Sequence, residues 1–359
     1  MHKIKRTLST LRINLNKNPV IGYSIVVVGI VIFGLLTYVA VGIYSPEPQE
    51  APDIKIAPRP AEKFYSPLNG VQVKNKAATK KPITAVMIEN SPDARPQSGL
   101  AEAEVVYEAI AEGGITRFLI LYQQNKPGLI GPVRSVRAYF VDWLTPYKPS
   151  VAHVGGSYQA LKTIRNGKYR DIDQFFNPEA YWRASDRYAP HNVYTNSKKL
   201  DALNKKIGYK ESNIDGLVRH NDPKEKKSTA TNVTINFSSA SYNTAYSYDK
   251  KSNSYVRSYV TEPHKDREKG AIKPKVVVAM KTTENSVFED GWRESIKTTG
   301  SGEAVIFQNG EAIKATWKKP SQSGQLTFVD KAGKPVKLNR GLTWIAAVPV
   351  NQNGSVAWK

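Results

Sequence analysis

Two changes of polarity near the start of the chain set its plan. From Pro19 to Pro46 there is no charged residue, and Val20 to Tyr44 is dominated by Val, Ile, Leu, Gly and Tyr. Those 25 residues would span roughly 37 Å as a helix, enough to cross a hydrocarbon core of about 30 Å with some tilt. The preceding segment, MHKIKRTLSTLRINLNKN, carries Lys3, Lys5, Arg6, Arg12 and Lys17 and no acidic residue. That asymmetry predicts a cytoplasmic basic tail over 1–18, a single membrane-spanning helix over 19–44, and everything later outside the cell membrane. A cleaved signal peptide would carry a shorter apolar region ending in a small-residue site, and no convincing A-x-A follows.

Residues 45–62 hold Pro46, Pro48, Pro52, Pro58 and Pro60, which predicts an extended, partly stiff spacer that keeps the folded part off the bilayer. A first domain is expected over 63–222. Within it Ile83 to Glu89, Ile115 to Tyr122 and Ser150 to Val154 read as buried strands. Pro132 is placed as the first-turn proline of a helix over 133–144, and Asn196 as the cap of a helix ending before Gly208. The charged stretch HNDPKEKKSTATN breaks the pattern. Beyond it TNVTINF, YNTAYSYD, NSYVRSYV, PKVVVAM, GEAVIFQNGEAIKATW, QLTFVD and LTWIAAVPV are short runs rich in β-branched and aromatic residues. With the Asn309-Gly310 turn signal they predict a β-rich domain over 223–359. The fold class is therefore α+β: an N-terminal transmembrane helix, a mixed α/β first domain and a β-rich second one.

Composition narrows the function. A hydrophobic fraction of 40% and a charged fraction of 23% are those of a globular protein. The chain has no cysteine, which removes disulfides, thiolate metal sites, a cysteine nucleophile and a thioether lipid anchor. The net charge is +21, of which the tail supplies five, leaving +16 outside the membrane. Nucleic acid is not an expected partner there. Anionic lipid or an anionic wall polymer is, the plainer alternative being a merely solvated basic surface.

The densest polar constellation is YEAIAEGGITRFLILY. Glu108 and Glu112, four apart, are expected on one face, and a two-residue turn at Gly113-Gly114 would pair Ile110 with Arg117. Arg117 would then project beside both carboxylates. Two glutamates in unequal surroundings could divide acid and base roles, whereas a surface salt bridge would do nothing chemical. In IGPVRSVRAYF, Arg134 and Arg137 would sit in the first turns of the helix, against its dipole, which an anionic ligand would offset; pairing with Asp142, Asp93 or the glutamates would do so equally. His153, ahead of Gly155-Gly156-Ser157, and His191, in DRYAPHNVY, are candidate proton shuttles or satisfied structural histidines. Arg187 and Asn192, which flank His191, join Arg117, Arg134 and Arg137 as candidate ligand-binding residues. The nucleophile-elbow pattern fails because Gln159 stands where glycine is needed. His220 with Asp222, and His264 with Asp266, lack further ligands at useful spacing, so neither a metal nor a cofactor is expected.

The series AVMIENSPDARPQSGLAEAEVVYEAIAEGGITRF, IGPVRSVR, AHVGGS and APHN, with GEAVIFQNGEAIKATW and LTWIAAVP further on, resembles the DUF3048 (YerB-like lipoprotein) domain family over roughly Ser66 to Pro349. The resemblance implies a two-part extracytoplasmic module, tethered in many members through a lipidated cysteine. This chain departs there, since without cysteine its tether has to be the apolar helix. The family carries no established functional residues to transfer. Two functions fit what the residues show. One is an envelope protein that binds, and in a catalytic version remodels, a cell-wall glycan or anionic wall polymer, with Glu108 or Glu112 as acid or base. The other is a non-catalytic binding or scaffold module for a protein or peptide partner.

Overall fold

The computed structural model describes residues 19–44, 62–223, 227–287 and 293–359. Two compact units divide the chain, 1–61 and 62–359. The basic tail and the Pro-rich spacer lie outside the described residues. In the first unit α1 (Pro19–Tyr44) is a single helix, and its stretch Gly22–Tyr44 is long and apolar enough to cross a membrane.

The second unit is built on one long sheet. Its strands in chain order are β1 (Thr84–Glu89), β2 (Val105–Glu112), β3 (Ile115–Tyr122), β4 (Ser150–Ala152) and β5 (Arg170–Asp171) from the first half. A separate four-stranded sheet takes β6 (Asn232–Asn236), β7 (Thr244–Asp249), β8 (Ser254–Tyr259) and the last strand of the chain. The long sheet continues with β9 (Val276–Thr282), β10 (Glu284–Val287), β11 (Arg293–Ile296), β12 (Gly300–Gln308), β13 (Glu311–Lys319), β14 (Thr327–Val329) and β15 (Thr343–Pro349). β16 (Ser355–Trp358) then closes the small sheet against β6. The expected boundary near 222 separates strands that meet again in space: β15 runs parallel to β2, with Ala346 opposite Glu108.

Their largely apolar, buried runs explain the placement of β1, β2 and β3 in the middle. Strands buried on both faces cannot alternate apolar with polar residues. Val86, Ile88, Val106, Phe118 and Ile120 pack on one face with Val233, Ile235, Tyr246 and Tyr255 of the small sheet, and with Leu200 and Leu203 of α4 (Ser197–Lys206). Ala85, Met87, Tyr107, Leu119 and Leu121 pack on the other with α2 (Ala138–Leu144) and α3 (Tyr158–Asn166). The Asn196 side chain caps α4, accepting from Lys199 N at 2.9 Å. Asn309 and Gly310 make the tight turn between β12 and β13, both with positive φ.

Two local expectations are corrected. The helix predicted over 133–144 begins only at Ala138, because the preceding backbone is spent on strand-like pairing. Glu89 N donates to Pro132 O at 3.0 Å, Arg134 N to Met87 O at 2.9 Å and Val133 N to Val193 O at 2.7 Å. Arg134 therefore precedes the helix, and Arg137 is its extended N-cap, where the Glu112 carboxylate at 2.7 Å offsets its charge. In the β2–β3 hairpin the Gly113-Gly114 turn is two residues long, but Ala111 has no partner, and Arg117 pairs with Ala109 instead of Ile110.

Candidate functional site

A β-bulge inserts one residue and re-aims whatever follows it. Up to Ile110 strand β2 alternates regularly, which points Glu108 to the face under the small sheet. The extra residue at Ala111 returns Glu112 to the opposite face, the one carrying Arg117. The two glutamates expected to share a pocket are thus separated by the sheet itself.

Glu108 is sealed. Both its carboxylate oxygens lie 2.9 Å from Arg257 Nη2, Trp344 Nε1 donates to Oε2 at 2.8 Å and Thr116 Oγ1 to Oε1 at 3.2 Å. Arg257 in turn touches His264 and Tyr246, and His264 Nε2 meets Gln97 Oε1 at 2.9 Å. Arg257 is fully buried, and although burial opposes its charge, the carboxylate of Glu108 drives its pKa upward. This network knits β2, β8 and β15 together, and the side chains of Glu108, Arg257, Trp344, His264 and Gln97 are all buried.

On the other face Glu112 is gripped by two guanidinium groups, with Arg117 Nη2 at 2.7 Å and Arg137 Nη2 at 2.7 Å. Burial would raise its pKa, but the charges and hydrogen bonds of Arg117 and Arg137 outweigh that and hold it below the usual value. A carboxylate so held stays ionised and is not an acid. Arg117 also donates to Ser135 O at 2.9 Å.

Beside this pair lies Glu89, directly across from Arg117 in the β1–β3 ladder. Its side chain is only 4% exposed. His191 Nδ1 lies 3.0 Å from Oε1, Ser91 Oγ donates to the same oxygen at 2.9 Å, and Arg134 Nε stands 3.3 Å away. Oε2 is buried and has no hydrogen-bond partner among the described residues. Since a carboxylate only accepts, Nδ1 of His191 carries the hydrogen, and a neutral ring then presents Nε2 as its acceptor. Nε2 lies on the Asp93 side, 3.9 Å from Oδ2, at a cleft of about 530 Å³ lined by Asp93, Arg95, Asp186, Arg187, Tyr188 and His191.

The remaining predicted residues serve the scaffold. His153 is fully buried, with Nδ1 at 2.7 Å from Gly155 O and Nε2 at 3.0 Å from Asp171 Oδ1. Two acceptors facing the two ring nitrogens make it a cross-link with no free nitrogen for proton transfer. Arg187 lines the cleft, but its guanidinium donates to Asp93 O at 3.2 Å and Pro96 O at 2.7 Å. Asn192 braces the same loop, accepting from Arg183 Nη1 at 2.7 Å and donating to Arg187 O at 3.2 Å.

Sequence reading missed Glu89, Ser91, Arg95, Asp186 and Tyr188. Only Glu89 carries a signal of its own: one carboxylate closing the otherwise apolar strand AVMIE.

Known proteins agree with the architecture. Family models for the N-terminal and C-terminal domains of the protein of unknown function DUF3048 match residues 68–210 and 233–345. YerB of Bacillus subtilis (strain 168), named as a candidate lipoprotein, is 33% identical over 297 residues, 81% of this chain and 88% of that protein. The crystal structure of the YerB protein from Bacillus subtilis superposes with a TM-score of 0.73 at 31% identity, covering 82% of this chain and 100% of that one.

Proposed function

The chain belongs to the DUF3048 family, and from that premise we propose that this membrane-anchored surface protein binds a wall glycan or anionic wall polymer in the cleft above His191. In this reading the basic tail is cytoplasmic, α1 crosses the membrane once and the second unit works outside. The observation that carries the proposal is the Glu89–His191 pair. A nearly buried carboxylate holds Nδ1, and His191 lines a cleft. That is the arrangement in which imidazole moves a proton in catalysis. Arginines and aspartates of both signs line the same cleft beside Tyr188, which is 91% exposed, a lining suited to a hydroxyl-rich, charge-bearing chain.

Ser91 is not a nucleophile in this scheme. Its Oγ lies 3.2 Å from Nδ1, the nitrogen already committed to Glu89. His191 would act on a water or a substrate hydroxyl instead. The protein is to be incubated with purified wall glycan and the release of fragments followed. Loss of the acid–base group in His191→Ala lowers the rate by about 10²- to 10⁴-fold, and Glu89→Gln lowers it with less effect on binding. If the wild type binds the polymer and releases nothing, the catalytic half of the proposal falls.

The pairing of Glu108 and Glu112 with arginines leaves neither free to act as an acid or base, and the second reading, a non-catalytic module for a protein or peptide partner, dispenses with a proton shuttle at His191 as well. Titration calorimetry against wall fragments separates the two. Under the second reading wall fragments give no heat.

A further inference from the structure

Away from that cleft, α3 and the loop after β5 carry a row of groups that the proposed function does not use. Tyr158, Lys162 and Arg165 are spaced four and three apart, which places them on one face of the helix. Lys162 Nζ stands 5.8 Å from the Tyr158 ring centroid and Arg165 Cζ 5.0 Å from the Phe176 ring centroid. Phe175 follows, its ring lying over Gly155. Tyr158 is 65% exposed and Phe175 and Phe176 are each 66% exposed, so three large aromatic side chains in one row stand in water.

They are presented rigidly. The buried Asp173 carboxylate accepts from Phe175 N at 3.2 Å, Gly155 N at 3.1 Å and Arg165 Nη2 at 3.2 Å, while its carbonyl accepts from Phe176 N at 3.1 Å. A loop held by a buried aspartate through three carboxylate bonds and one carbonyl bond has its aromatic tips placed, not merely left over. From 158 to 170 the sequence has four basic residues, Lys162, Arg165, Lys168 and Arg170, and no acidic one. The next two acidic residues, Asp171 and Asp173, both face Arg165, at 4.0 and 3.2 Å, so Lys162 brings more free charge to the row than Arg165 does.

We infer that this row, Tyr158, Lys162, Arg165, Phe175 and Phe176, is a docking surface for an anionic lipid bilayer, on which the second unit rests. Aromatic rings with basic neighbours settle at the headgroup level, rings toward the acyl boundary and cations on the phosphates. The bilayer is the favoured occupant because the chain brings its own: α1 is a membrane-spanning candidate. The 17 residues between Tyr44 and Glu62 reach at most about 60 Å. That tether keeps the second unit within its own length of the lipid headgroups, and for this face to rest on them the spacer expected to hold the folded part off the bilayer would have to lie back along the surface.

The absence of cysteine makes the test direct. The full chain is reconstituted in vesicles of zwitterionic lipid alone or with anionic phosphatidylglycerol. It carries a water-sensitive fluorophore on Phe176→Cys, on the neighbouring exposed Gln159→Cys, or on the remote exposed Lys331→Cys. Iodide quenching at 176 and 159 is expected to be largely lost in anionic vesicles, to return at high salt, and to stay complete at 331 in every case. The Gln159→Cys reporter keeps all three aromatics, and adding Phe175→Ser with Phe176→Ser to it should restore quenching. Equal quenching in both kinds of vesicle overturns the inference. So does protection that appears only on adding purified wall glycan, which would assign the row to the polymer.

Discussion

Glu108 and Glu112 belong to one strand, four residues apart, yet unpaired Ala111 between them turns the first into the sealed core under the small sheet and the second toward Arg117 and Arg137. The chemical difference between the two carboxylates is thus a consequence of one inserted residue. Glu108 holds the halves of the long sheet together, whereas Glu112 orders the arginines beside Glu89.

Removing one partner of a fully buried ion pair strands the other. Glu108→Leu leaves Arg257 charged and fully buried among Trp344, Tyr259 and Tyr246, and the expected loss is about 3 to 5 kcal/mol. Combining it with Arg257→Met removes the stranded charge, so the double variant should lose less than Glu108→Leu alone. Denaturant unfolding of the set measures the coupling. Additive losses would show that the pair acts as two independent groups.

Glu112 predicts an acid dependence. Its folded pKa is below the ordinary 4.5, so its contribution is complete above that value and is lost as pH falls through the lower folded one. The gap in thermal midpoint between wild type and Glu112→Gln should be widest near neutrality and shrink as pH falls below the ordinary carboxylate range. A gap that does not change with pH would mean that neutral packing, not the charge on Glu112, holds Arg117 and Arg137.

Much of this organisation is legible in the residues, and its limits are physical. Apolar runs locate β1 and β3, Gly113-Gly114 and Asn309-Gly310 locate two turns, and Asn196 marks the start of α4, because each depends on neighbours in sequence. The bulge at Ala111 does not: a single alanine looks the same paired or unpaired, and only the ladder to β3 distinguishes them. Pro132 suits both a helix start and an extended segment. What decides is the unfilled edge of β1, where Met87 O and Glu89 N take up the backbone on either side of Val133, and that edge exists only in three dimensions. Glu89 was hidden for a related reason, since its partners His191 and Arg134 come from distant parts of the chain.

Gly310 tests the hairpin that joins β12 to β13. With φ at +73°, a Cβ there would meet Lys227 O at 2.1 Å, a backbone atom that cannot step aside alone. Gly113 has φ at +57° with nothing within 4 Å of its Cβ. Gly113→Ala should therefore cost only the left-handed backbone penalty of about 1 to 2 kcal/mol, and Gly310→Ala clearly more. Equal losses in unfolding free energy would show that the 227–230 segment gives way without cost.

Glu284 has the opposite sign from Glu112. Its backbone is pinned by Asn351, which accepts from Glu284 N at 2.8 Å and donates to Glu284 O at 2.7 Å. The carboxyl is buried, and Oε2 has no hydrogen-bond partner among the described residues. Burial, helped by the like charge of Glu294, pushes its pKa up to about 8. Below about pH 4.5 both folded and unfolded chains hold the proton and no penalty exists. As pH rises the unfolded chain releases it first, so stability falls through this window and levels off above the folded value. A permanently neutral glutamine should match wild type in acid, melt higher than wild type above about pH 8, and flatten the slope between. The measurement is the thermal midpoint of Glu284→Gln and wild type across that range. Parallel curves would mean that the carboxyl is ionised in the folded protein and that some other group supplies its counter-charge.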